Sequence, residues 1–546
     1  MGSPLQATVV ALAGASLAAA ALLAAPAGGE EAPSSCRARI AAVLETILAR
    51  NLDTSSGPPF NAFQSLNASA VAQAEALDRA VAAGARPGAL HCLPLAVKDN
   101  VASFDLPMTV GSLALLGNQP ERDAALLARL RAAGAIVVGK TTMDEFAFGI
   151  RGLSGAAGRT GNAVDPWNSP GGSSSGSGVA VGAGWVPMAV GSDNCGSLRL
   201  PAVYNGAVSL RPTQDRFDSD GFFPIGFVNG TPGLIACDLP TLEAGLAVIA
   251  DPWRQATAQQ GDALRGRRLA VLRRAGSASL EPTEAEASQA LEEGMALLRA
   301  AGADVVEPVE LASFDPRLGP DFLRGAAARI DTLLASYPAS RRSWAEVCRS
   351  GRIPPDWTTA SCLELFRSDA AAVARVREVV RTNRRMLETL LAERRLDGLV
   401  LLPYRRGAAR REASEAFTCF VSSNAGVPAV VLPIRLDGRG MPIGLEILGR
   451  AGMDEELVAM AAALEKQRGP LPLRPAGAVR REGESGDSPL GIAAHNSLVS
   501  ALGWRARRSR GGEALGDLDP ARFRRLTQEL RRRWSETGMK PPGKAI

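Results

Sequence analysis

Apolar side chains recur along this chain in two rhythms. In the stretch 36–82, Ile40, Val43, Leu44, Ile47 and Leu48, and then Val71, Ala74, Leu77 and Val81, return every three or four residues, which predicts two amphipathic helices. Short unbroken apolar runs at 95–97, 136–138 and 188–190 are bounded by Gly, Pro or polar residues and predict buried strands. Residues 124–133 between the first two runs read as a helix that stops at Gly134, so the order is strand, helix, strand. Long helical patterns at 283–302 and 370–395 bracket a region taken as a helical insert of about 300–395, and apolar runs at 399–402, 429–432 and 443–448 complete the same sheet. The expected fold is α/β, with a mixed, largely parallel central sheet covered by helices on both faces. One domain would span 36–475, preceded by an apolar segment (1–35) and followed by a basic linker with an accessory helix at 520–534.

Composition changes this picture little. Hydrophobic residues make up 46% and charged residues 21%, ordinary globular usage that excludes disordered and fibrous classes. The net charge of +5 belongs to the tail, where residues 476–546 hold 14 of the 61 Lys/Arg but 8 of the 56 Asp/Glu. The body is near neutral, and no nucleic-acid partner is expected. Residues 8–27 form an Ala-rich apolar stretch, the one route to membrane contact, but no Lys or Arg precedes it as in a normal secretory signal. A cytoplasmic location is favoured on that ground, with export or anchoring left open. Seven cysteines, odd in number, widely spaced and without a CxxC pair, argue for neither a disulfide framework nor a zinc site. His91 and His495 are the only histidines, so most His-dependent chemistry is hard to build.

The stretch GGSSSGSG at 171–178 admits four readings. A flexible linker would sit in polar surroundings, whereas this one runs into the apolar segment 179–190. A phosphate loop needs Lys where Ser177 stands. A hydrolase nucleophile elbow needs a later His, and only His495 in the tail qualifies. The fourth reading joins the stretch to a second loop, GSDNCGSLRLP at 191–201, whose Ser197 lies 24 residues after Ser173. The block 171–201, with LPLAVKDN at 93–100, VGKTTMDEF at 138–146, Gly426-Val427-Pro428 and GMPIGL at 440–445, resembles the amidase signature family across roughly residues 36–470.

That resemblance implies a Ser-cisSer-Lys triad, with Ser197 as nucleophile, Ser173 as the middle serine and Lys98 as base, and an oxyanion hole made by the N–H groups of Asn194, Cys195, Gly196 and Ser197. Gly171, Gly172, Ser174, Asp193 and Arg199 would support these loops. An ordinary lysine is charged at neutral pH, so Lys98 must be buried to serve as a base. Asp99 would oppose this unless strand alternation points it to the other face. Cys195 stands where the family has Gly or Ala, and its side chain threatens the loop's conformation. The implied activity is hydrolysis of a small-molecule carboxamide through a Ser197 acyl-enzyme, without metal or cofactor. Two other readings remain: an impaired amidase-fold binding protein, suggested by Cys195, and a glutaminase-type subunit of a tRNA-dependent amidotransferase. The loop at 146–158 and the helical insert would shape the pocket, with no stacking platform standing out among few aromatics. Substrate identity and oligomeric state are not legible.

Overall fold

The computed structural model describes residues 35–473, apart from 54–57, 225–227, 251, 254–261, 319–322, 339–340, 355–356, 368 and 407–416. The apolar stretch at 8–27 and the basic tail with its helix at 520–534 lie outside the described residues. The strands are β1 (Phe63–Leu66), β2 (Pro94–Lys98), β3 (Ile136–Thr141), β4 (Leu153–Ser154), β5 (Gly158–Arg159), β6 (Met188–Asp193), β7 (Val208–Arg211), β8 (Thr231–Ala236), β9 (Arg268–Ala275), β10 (Ala278–Ser279), β11 (Asp304–Leu311), β12 (Gly398–Leu401), β13 (Ala429–Leu436) and β14 (Pro442–Leu448). Twelve of them form one sheet in the order β1-β3-β2-β6-β8-β7-β13-β14-β12-β9-β10, with β11 beside β9, while β4 and β5 make a separate hairpin. The sheet is mixed. Parallel pairing joins β3, β2 and β6 at one end and β12, β9 and β11 at the other.

Alternation along the strands divides the core in two. Leu95, Val97, Val137, Met188, Val190 and Leu234 enter one apolar cluster, while Ala96, Ile136, Val138, Ala189 and Ile235 enter another. Because neighbouring residues of a strand point to opposite faces, each cluster is the interior of one side. The first takes in the helices Ala125–Ala132, Leu239–Ile249, Ala285–Ala300 and Asp454–Arg468, and the second Cys36–Arg50, Ser175–Gly182 and Arg199–Tyr204. Helices therefore cover both faces; β2, β3, β6, β8 and β14 are buried on both, while β11 at the edge is largely exposed.

Two expectations need correction. The segment read as a helical insert opens instead with β11, paired parallel to β9, a run whose three valines favour a strand and whose Val309 and Leu311 point inward. The helices Ala326–Ala335, Trp344–Arg349, Thr359–Leu365 and Ala370–Glu393 follow it. The absence of a disulfide framework is also wrong. Cys36–Cys92, Cys195–Cys419 and Cys348–Cys362 are bonded, and Cys237 alone is free. The partners stand 56, 224 and 14 residues apart, and the first two pairs meet only through the tertiary fold, which spacing cannot convey.

Candidate active site

Lys98 ends β2, and the parallel neighbour β6 ends at Asp193, so both strands deliver their last side chains to one edge of the sheet. There Lys98 Nζ donates to Ser173 Oγ at 2.8 Å and to Ser192 Oγ at 3.0 Å, and Asn100 Nδ2 also donates to Ser192 Oγ at 3.0 Å. Lys98 and Ser173 are fully buried. Burial lowers the Lys98 pKa to about 7, against the opposing pull of Asp144 and Asp193. Asp99 turns away, as alternation requires: its carboxylate accepts from Thr109 N–H at 3.0 Å and Gly111 N–H at 3.1 Å. His91 lies in the turn before β2, at the end of the strand remote from Lys98.

Ser173 sits in the Gly/Ser loop that leads into the helix Ser175–Gly182, and its peptide bond with Gly172 is cis. Gly171 N–H donates to Ser169 Oγ at 3.1 Å. A Cβ on Gly172 would stand 2.0 Å from Asp144 Oδ2, so only glycine permits this approach. Asp144 in turn is held by the N–H groups of Arg151, Gly152 and Leu153 and by Ser175 Oγ, each at 3.1 Å. Ser174 N–H donates to the Ser197 carbonyl at 3.3 Å, and Ser174 Oγ to the Ser192 carbonyl at 3.2 Å. These bonds bring the two serine loops together.

The loop from Asn194 to Ser197 turns from β6 into the helix Arg199–Tyr204. Asp193 governs it. Its carboxylate accepts from Gly196 N–H at 2.9 Å and Leu198 N–H at 3.1 Å, and pairs with Arg199 Nε at 3.1 Å and Arg211 Nη1 at 3.0 Å. Arg199 also reaches Glu446 Oε1 at 2.8 Å, Ser422 Oγ at 2.7 Å and the Cys419 carbonyl at 3.2 Å. Burial works against ionisation of Asp193, but the two arginines hold its carboxyl well below the usual carboxylate range. Among the expected oxyanion donors, Gly196 N–H is committed to Asp193. Neither the Cys195 nor the Ser197 N–H donates to a partner among the described residues. Cys195 does not strain the turn: the positive φ falls on Gly196, at +86°, and Cys195 is not among the non-glycine residues with positive φ.

Beside Ser192 and Asn194 opens a cavity of about 80 Å³, walled by Phe217, Phe222, Phe223 and Thr231, with Arg329 of the helix Ala326–Ala335 at its margin. Behind Phe223 stands an aromatic cluster that sequence reading did not foresee. Phe146 packs 6.2 Å from Phe223, 5.2 Å from Trp344 and 5.8 Å from Trp357, while Phe148 contacts Trp357 and Phe366. The Cys348–Cys362 bond ties together the two helices, Trp344–Arg349 and Thr359–Leu365, that carry or adjoin these rings.

Several site residues escaped the sequence. Ser192 lies inside the 191–201 block and Asp144 inside the 138–146 segment, yet neither residue type announces a role. Glu446 does carry a signal, as a lone carboxylate in the apolar run 443–448: such a charge is buried only with a partner.

Known proteins share this arrangement of chain. The family model described as Amidase matches residues 43–458. The mandelamide hydrolase of Pseudomonas putida is 32% identical over 464 residues, covering 79% of this chain and 89% of that protein. A glutamyl-tRNA(Gln) amidotransferase subunit from Rhodopirellula baltica is 38% identical over 270 residues, 47% of this chain and 53% of that one. The solved native peptide amidase of Stenotrophomonas maltophilia superposes with a TM-score of 0.70 at 28% identity, covering 82% and 96% of the two chains.

Proposed function

This chain belongs to the amidase family, and from that premise we propose that it hydrolyses a carboxamide through an acyl-enzyme on Ser197, with Ser173 relaying protons to Lys98. The observation that carries the reading is Lys98 itself, fully buried, bonded to two serine hydroxyls and with its pKa lowered to about 7. A lysine near neutrality offers a lone pair at working pH, which a surface lysine does not. In that state its N–H bond to Ser192 fixes the amine while the lone pair draws the proton of Ser173. Ser173 in turn takes the proton of Ser197 as Ser197 Oγ attacks the carbonyl carbon.

The negative charge then gathering on the carbonyl oxygen falls to the N–H groups of Cys195 and Ser197, which donate to no other acceptor among the described residues. Collapse breaks the C–N bond, and the proton held on Lys98 returns through Ser173 to the departing nitrogen. Water repeats the sequence on the acyl-enzyme, giving a carboxylic acid and restoring Ser197. The lining of the cavity mixes phenylalanines with Asn100, Asn194, Asp215 and Arg329, so it offers a substrate both apolar contact and polar anchors. Mandelamide, for which the Pseudomonas relative is named, is the first substrate to try.

A second reading, the glutaminase-type subunit, draws on the likeness to the amidotransferase subunits. Against it stand three disulfides, which suit a cytosolic translation partner poorly. Co-purification of a partner protein would favour it.

Intact-mass labelling with a fluorophosphonate tests the main reading. One adduct is expected on the wild type and none on Ser197→Ala, with labelling slowed about 100-fold or more in Lys98→Ala. An adduct that survives Ser197→Ala refutes the assignment.

A further inference from the structure

Cys195 is held differently from its neighbours. From Gly196 onward the loop is fixed by backbone bonds: Gly196 and Leu198 donate to Asp193, and the Gly196 carbonyl accepts from Leu200 N–H at 2.8 Å. For Cys195, the fastening is its side chain, bonded to Cys419 with the two Cα atoms 5.0 Å apart. Cys419 is itself anchored. It is buried, precedes the helix Phe420–Ser423, and its carbonyl accepts from Arg199 Nη2 at 3.2 Å and Ser423 Oγ at 2.8 Å. Its Cβ also faces Gly196 closely, for a Cβ built on that glycine would lie 3.2 Å away. The bond thus rests against the turn that delivers Ser197.

We propose that the Cys195–Cys419 disulfide is the positioning element of the oxyanion loop, so that amide turnover requires this bond to be oxidised. Cys195 and Cys419 act here as positioning residues, since neither sulfur touches the reacting atoms. The proposal rests on the Ser197 chemistry above and extends it to regulation. A phosphine supplies two electrons and becomes the phosphine oxide, water giving the oxygen and the two protons, whereas a dithiol supplies both electrons and both protons and becomes a cyclic disulfide; either way the S–S bond is cleaved and two thiols are left. The Asp193–Arg199–Glu446 network stays closed, so substrate still binds. What is lost is the fixed aim of the Cys195 N–H, which matters most when charge develops on the carbonyl oxygen.

The test compares full-length oxidised protein with protein treated with a phosphine reductant, for the wild type, Cys195→Ala/Cys419→Ala and Cys36→Ala/Cys92→Ala. Fluorophosphonate labelling of Ser197 and carboxamide turnover are read together, with alkylation mass reporting which thiols are free. Reduction should lower kcat about 10- to 100-fold in the wild type and in Cys36→Ala/Cys92→Ala, with KM changed by less than about threefold. Cys195→Ala/Cys419→Ala should start at the lowered kcat and lose nothing more on reduction. Full kcat in wild type whose Cys195 and Cys419 are shown by mass to be free thiols would overturn the proposal. Labelling that appears only after reduction would overturn it too, making the bond an inhibitory clamp. Oxidised wild type that neither labels nor turns over amide, before or after reduction, would instead remove the Ser197 reading and this proposal with it.

Discussion

The residue on which most depends is Lys98, because its usefulness as a base is a matter of protonation. With a folded pKa of about 7, the amine is protonated and inert below that pH and free above it. Log kcat/KM should therefore rise with unit slope on the acid side and level off above about pH 7. Asp144 pulls that pKa upward, so Asp144→Asn should move the acid limb to lower pH, as a pH–rate profile would show. A limb that stays put would mean that Asp144, whose own pKa burial raises, carries no charge at working pH. Lys98, Ser173 and Ser197 were legible because each stands in a recognisable motif. Ser192 was not, since a serine in a serine-rich block looks like its neighbours. Nor was the commitment of Gly196 N–H to Asp193, which depends on where a carboxylate turns rather than on residue type.

Among the elements, those with one dominant rhythm were readable. The apolar runs at 95–97, 136–138 and 188–190 lie within β2, β3 and β6, and the 370–395 pattern became the helix Ala370–Glu393. Strands with mixed signals were missed. Thr231–Ala236 contains Pro and Gly, and Arg268–Ala275 places three arginines in a strand of the sheet, so propensity argued against both. The aromatic cluster was hidden for another reason. Its rings come from 146–148, 223, 344, 357 and 366, and only the pairing of two short helices gathers them. Cys348→Ala/Cys362→Ala should loosen that pairing. Closing a loop of this size contributes about 3 kcal/mol in the chain-entropy account, so thermal denaturation should shift down by several degrees while kcat for a small amide holds. An unchanged melting curve would show that Phe146, Trp344 and Phe366 hold the helices without help.

For the whole molecule, the three disulfides are the feature that thiol chemistry can count. Such bonds persist in oxidising compartments and are rare in the cytoplasm. The count of thiols checks them directly. Alkylation of denatured, unreduced protein should add one group, on Cys237, and alkylation after reduction should add seven. Three or more adducts before reduction would mean that at least one bond is absent from the protein as made. The Cys195–Cys419 bond has one more consequence, because it joins residues 224 positions apart and so closes a ring that includes half of the twelve strands of the sheet. A protease that cuts the backbone once anywhere inside that ring cannot release either piece. The nicked enzyme would migrate as a single band without reductant and as two with it, its serine loop still fastened to the far half of the chain.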